Sequence, residues 1–169
     1  MRKSRLGSES HRMFCLVFVV MIISIIITIP AFATSHTYYK GVPKDGVILA
    51  DSVAQSIAIS IMTNPAYTTD LERVSAAATT VASYASSCVY GVDPNKYYRS
   101  PYGVFVTGNY TCAGTTRALG RVLDYMGYEY IHINENQWCH QWNALVMDGQ
   151  TGYADGMSGT AGYGERFNN

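Results

Sequence analysis

Helices packed on an antiparallel sheet, an α+β fold, follow from three observations in this sequence. Thr69-Asp70-Leu71-Glu72 has the form of a capping box, and Leu71, Val74, Ala78, Val81, Ala85 and Cys88 recur behind it at helical spacing. A second helix is bracketed by Thr111, an N-cap residue, and Gly127, which suits the left-handed residue past a helix end. After it the pattern alternates, and Asp148-Gly149 marks a tight hairpin.

The front of the chain reads differently. Arg2, Lys3, Arg5 and Arg12 form a basic stretch, and Phe14 to Ile29 is apolar apart from Ser24 and Thr28. Ala31-Phe32-Ala33 follows, with the small-x-small pattern of a signal peptidase site. Residues 1–33 are therefore expected to be a signal peptide, or an uncleaved membrane anchor, that leaves the rest exported, secreted or at the cell surface. On this reading the membrane is met only through that segment.

Residues 34–68 are expected to be a connector and one short helix. Gly41, Pro43 and Gly46 punctuate its first part. Asp51 is a candidate cap for a helix running to Met62, with Val53, Ile57 and Ile61 on one face. Ile57, Ile59 and Ile61 also alternate, so a strand fits too, and Asn64-Pro65 ends the element in both cases.

The core is expected over residues 69–169. Between the two predicted helices, residues 90–108 are rich in Tyr, Gly and Pro and read as a long loop holding one extended piece, Val104-Phe105-Val106. The loop leads to Cys112 and is expected to wall a cleft. Strands are predicted over 128–134 and 141–147, and Tyr153-Ala154-Asp155 is expected to begin the returning strand. The Gly-rich stretch after Gly156 carries no signal for regular structure.

The chain has 169 residues, with 12 Lys and Arg against 12 Asp and Glu. A balanced charge with no basic cluster outside the leader excludes a nucleic-acid binder. Cys15 lies in the leader, which leaves Cys88, Cys112 and Cys139. An odd number in an oxidising compartment points to a free reactive thiol. Cys88 and Cys139 could pair and leave Cys112 free, or Cys88 could simply fill the core at the end of its helix.

Three local contexts carry chemistry: Asn109-Tyr110-Thr111-Cys112-Ala113-Gly114, then Cys139-His140-Gln141-Trp142-Asn143, then Tyr153-Ala154-Asp155-Gly156. At a helix start Cys112 would meet the positive end of the dipole and free N–H groups, which favour a thiolate and a developing oxyanion. A two- or four-residue loop at Asp148-Gly149 puts His140, Trp142 and Asp155 on one face; with two residues, Asp155 sits opposite Trp142 and diagonal to His140, within side-chain reach. Thiol, imidazole and carboxylate in that order suit acyl transfer through a thioester. Gly114, costing about 1 kcal/mol in a helix relative to Ala, implies that something approaches closely there.

These contexts, from about Leu71 to about Glu165, resemble the transglutaminase-like superfamily, whose fold is related to papain-type cysteine proteases. The His-x-Trp-Asn stretch followed by Asp-Gly after a short hairpin is the most specific part. The resemblance implies a papain/transglutaminase-like core with Cys112, His140 and Asp155 as the catalytic set. It implies that Trp142 and Asn143 shape the site without reacting. Related enzymes place a side-chain oxyanion donor near Asn109 and Tyr110, and the residue here is left open. Thr111 stands where the family has Gly.

The expected activity is an exported cysteine-nucleophile acyl transferase or peptidase acting on a protein or peptide substrate, with no cofactor. The alternative is a non-catalytic module on the same fold that binds cell-wall or peptide ligands, for which the 14 tyrosines would serve as stacking surfaces. A metal site from Cys112, Cys139 and His140 is disfavoured. Adjacent residues on a strand point to opposite faces, and no C-x-x-C pair exists.

Overall fold

The computed structural model describes residues 36–135 and 137–166. The expected export segment, residues 1–33, lies outside the described residues.

The first helix, α1 (Lys44–Met62), starts seven residues before Asp51. Pro43 supplies the extended N-cap backbone without a side-chain cap, and Asp45 sits in the first turn where the dipole favours an acid. Asp51 is no cap: its carboxylate takes a two-pronged hydrogen bond from Arg121 at 2.7 and 3.1 Å. The alternating isoleucines are helical, with Ile57 and Ile61 buried and Ile59 exposed. Helix α2 (Asp70–Ser86) begins with the expected capping box: Thr69 accepts from the Glu72 N–H, and Glu72 accepts from the Thr69 N–H.

Helix α3 (Cys112–Met126) is the hub. The Thr111 hydroxyl accepts from the Gly114 N–H, and Gly127 ends the helix at φ 85°. Both other helices pack on α3 through small residues. Ala50, Ala54 and Ala58 of α1 and Ala77 and Ala78 of α2 join Ala118, Leu119, Val122 and Leu123 in one core. Alanine lets helix axes approach closely. The segment expected to hold a connector and one short helix thus supplies a longer helix that packs in the core.

The long loop is more structured than its composition suggested. Strand β1 (Val89–Tyr90) pairs in parallel with β2 (Asn109–Tyr110), just ahead of Cys112. Between them lie a 3-10 turn, Tyr97–Arg99, and a π-turn, Gly103–Thr107. Val104-Phe105-Val106 is therefore coiled, not extended. Val104 and Phe105 are buried, and Gly103 fits because a Cβ there would overlap the backbone of Tyr97 and Asn109.

Strands β3 (Tyr130–Ile133), β4 (Trp142–Met147), β5 (Gln150–Asp155) and β6 (Thr160–Tyr163) form one antiparallel sheet in sequence order. Met147 pairs with Gln150 around Asp148 (φ 50°) and Gly149 (φ 76°), so the hairpin has the shorter, two-residue loop. Tyr153–Asp155 close β5 instead of opening it. The Gly-rich stretch contains β6, paired from Gly152↔Tyr163 to Asp155↔Thr160. Asn143, Leu145 and Met147 of β4 are buried toward α3, in the two-residue period of a half-covered sheet.

Candidate active site

Four pieces of chain converge at the N-terminal end of α3. Cys112 is the first helical residue, half-buried and free. Its thiol points at the carbonyl oxygen of Cys139, 3.9 Å away, the residue that precedes His140. Cys88 and Cys139 are free as well, so of the two alternatives for Cys88 the pairing with Cys139 does not form. Cys88 donates to the Tyr84 and Val104 carbonyls, and burial pushes its thiol up.

His140 sits just before β4, and Asp155 is the last residue of β5. His140 Nε2 lies 2.8 Å from Asp155 Oδ2. The register continues from Asn143↔Ala154, which puts Asp155 opposite Trp142, and the His140 ring stacks on Trp142 at 6.3 Å. With Nε2 engaged, Nδ1 is the nitrogen left for a proton from a thiol.

Asp155 is fully buried. Burial pushes its carboxyl upward, but the His140 hydrogen bond and the N–H groups of Met157 and Ser158 outweigh it and hold the carboxyl below its usual value. The backbone donors reach Oδ1 at 2.9 and 3.2 Å. Gly156 makes the placement possible. A Cβ there would meet the Thr115 carbonyl oxygen at 2.6 Å, so only glycine lets the end of β5 seat against α3.

The loop between β3 and β4 is tied at both ends. Asn134, at φ 59°, donates its side-chain amide to the His140 carbonyl at 2.8 Å. His132 shares a 2.8 Å hydrogen bond with Gln141, and burial holds its imidazole below the usual value. Arg117, one turn into α3, pairs with Glu135 at 3.1 Å. Asn143 donates to the Thr116 carbonyl at 3.1 Å, which ties β4 to the helix carrying Cys112.

Aromatic side chains also lie near Cys112. Tyr90 packs edge-on against Tyr110, and its phenol is pushed up by burial and by the nearness of Cys112 and Tyr110. Trp138, two residues before His140, is 99% exposed. The side-chain amide of Asn109 is turned back to the Thr107 carbonyl at 3.0 Å. The close approach expected at Gly114 is the Tyr98 carbonyl, which a Cβ would overlap and which also accepts from the Thr111 hydroxyl at 3.1 Å.

Two members of this neighbourhood escaped the sequence reading. Tyr90 was masked by a loop composition. Arg166 lies beyond the last motif, yet its Nη2 is 2.7 Å from Asp155 Oδ2. Among the described residues, no group of three or more His, Cys, Asp and Glu side chains is arranged to hold a metal ion.

No protein-family model matches the sequence, and no curated protein matches it. The fold is similar to that of a solved structure described as a "Crystal structure of a TGase", at a TM-score of 0.52 and 14% identity. The similarity covers 92% of this chain but 41% of that one, so this chain spans less than half the length of the protein it matches. At that identity the likeness concerns the fold alone: mixed helices and sheet, compatible with a transglutaminase-like arrangement.

Proposed function

We propose that this protein is a transglutaminase-like cysteine acyltransferase or amidohydrolase that works through a thioester on Cys112. One observation carries the reading: a half-buried His140 is hydrogen-bonded to the buried Asp155, and a free thiol at a helix N-terminus points at the carbonyl of the residue before that histidine. The fold likeness to a protein described as a TGase supports it.

In this reading the Cys112 proton passes to His140 Nδ1, and the thiolate attacks a carboxamide or peptide carbonyl. Asp155 holds the ring through Nε2 and stabilises the imidazolium. The oxyanion develops near the Cys112 N–H, one of the unpaired donors of the first turn. Collapse of the tetrahedral intermediate breaks the C–N bond. The imidazolium gives its proton to the departing ammonia or amine. An incoming amine or water then gives up a proton to His140 and releases the acyl group from sulfur. An amine acceptor yields a cross-link, and water yields deamidation or peptide cleavage. The substrate is a protein or peptide met outside the membrane, after export directed by residues 1–33.

The test is the rate of iodoacetamide alkylation at each cysteine, read by mass spectrometry at mildly acidic pH. Cys112 labels faster than the exposed Cys139 and loses that advantage in His140→Ala. Equal slow labelling of both would sink the enzymatic reading. The exposed aromatics Trp138 and Tyr90 would then favour the second one, a binding module on the same fold, whose ligand affinity survives Cys112→Ala.

A further inference from the structure

Arg166 has no part in the acyl-transfer steps, yet it touches the group that orients them. Its guanidinium reaches Asp155 Oδ2 at 2.7 Å, the same oxygen that His140 Nε2 reaches at 2.8 Å. It also lies over the Trp142 ring, 5.4 Å from the centroid. With His140 on Oδ2 and Met157 and Ser158 on Oδ1, the buried carboxylate accepts three hydrogen bonds beside its ion pair with the guanidinium.

A carboxylate behind a catalytic histidine ordinarily acts through its charge, which stabilises the imidazolium that forms when the thiol loses its proton. A guanidinium carries its own charge throughout the working pH range. Placed on the shared oxygen, it offsets the negative charge that the imidazolium would see and adds a like charge nearby. Around His140, Asp155 of β5 is bonded to the ring and Trp142 of β4 stacks on it, while Arg166 of the segment after β6 sits on the same carboxylate oxygen and Cys112 of α3 lies at the carbonyl of the preceding residue. Glu135, with Arg117 and His132, holds the other end of the β3–β4 loop.

We infer that Arg166 is a positioning residue that fixes the Asp155 carboxylate and, by its charge, sets the pH at which the His140 imidazolium is lost. The inference rests on the proposed role of Cys112, His140 and Asp155. Trp142 then has a second use: one side stacks on the imidazole, and the ring also carries the cation.

The experiment is the pH dependence of Cys112 alkylation by iodoacetamide in the full chain, for the native protein, Arg166→Gln and Arg166→Lys. A coupled thiolate–imidazolium pair gives the native profile two inflections, the upper one marking loss of the imidazolium proton. In R166Q the upper inflection moves to higher pH by about half a unit or more, because the uncompensated carboxylate holds the imidazolium better. R166K retains the charge and stays near the native position. Should R166Q not fold, R166M keeps an unbranched cover on Trp142 and takes its place. An unmoved upper inflection in a folded neutral variant, with only a lower Tm, would mean that Arg166 is a structural anchor and would overturn the inference. A shift in R166K as large as in R166Q would also overturn it. A single inflection in the native protein, at the pH of an ordinary thiol, would remove the catalytic reading itself.

Discussion

Asp70 and Asp148 each accept the other's backbone N–H: Asp148 Oδ1 from Asp70 and Asp70 Oδ2 from Asp148, both at 2.9 Å. Asp148 Oδ2 adds the N–H of Leu71 at 3.0 Å. The turn between β4 and β5 is thus bolted to the start of α2. That bolt fixes the hairpin whose far end presents His140 and Asp155.

The N–H groups of Asp70 and Leu71 hold the Asp148 carboxyl below its usual value. The fold therefore favours the ionised form. Its contribution is present above the unfolded value of about 3.9 and is lost as pH falls through the lowered one. Asp148→Asn is expected to lower Tm at neutral pH, with the gap from the native protein closing in strong acid. A Tm series from pH 7 to pH 2 checks this.

His132 works at milder pH. Burial favours its neutral form, although the Gln141 hydrogen bond opposes this. The unfolded chain takes up the proton near pH 6.5, while the folded chain resists until lower pH. Stability is therefore expected to decline as pH drops below about 6.5. In His132→Gln that part of the slope disappears, which urea melts at pH 7 and pH 5 would reveal.

Asp155→Asn tests the carboxylate directly. On the role proposed for Asp155, an amide would stabilise the wrong imidazole tautomer, a change that costs about 10⁴ in rate in a Ser-His-Asp protease. The expected outcome is loss of the fast component of Cys112 labelling. The same change leaves Arg166 facing a buried neutral group, and breaking a buried pair costs about 3 kcal/mol. Adding Arg166→Gln is expected to recover stability in a thermal melt without restoring fast labelling.

Gly114→Ala separates helix propensity from packing. Alanine is the better helix former by about 1 kcal/mol, but its Cβ would overlap the Tyr98 carbonyl oxygen. Overpacking against backbone typically costs about 1–3 kcal/mol. The variant is expected to melt lower, and its Cys112 labelling rate changes because the 3-10 turn is displaced.

What the sequence revealed was what local chemistry encodes. Thr111 and Gly127 bound α3, Thr69 and Glu72 start α2, and Asp148-Gly149 sets the hairpin register that brings Asp155 to His140. What it concealed depends on distant partners. Gly46 reads as a breaker, yet it lies in the first turn of α1 because the Tyr102 ring packs where a Cβ would be, at 2.9 Å. The strand-favouring run Val104-Phe105-Val106 coils with Val104 and Phe105 buried and Val106 exposed. β6 is too short and too rich in small residues to show a period, and pairing with β5 defines it. Arg166 finds Asp155 through the folded chain, which no spacing reveals.

The parallel pairing of β1 with β2 has a separate consequence. Hydrogen bonds from Val89 N–H to the Gly108 carbonyl and from Gly91 N–H to the Tyr110 carbonyl, at 2.8 and 2.9 Å, fasten both ends of the intervening stretch. Its tip, from Val92 to Lys96, is mostly exposed. A loop clamped at its base changes length cheaply, since each doubling adds only about 0.6 kcal/mol of closure entropy. The length of this tip, unlike that of the packed turns after it, is therefore decoupled from the seat of Cys112. Residues grafted between Val92 and Lys96, ahead of the Tyr97–Arg99 turn whose Tyr98 carbonyl holds Thr111, are expected to leave the thiol in place.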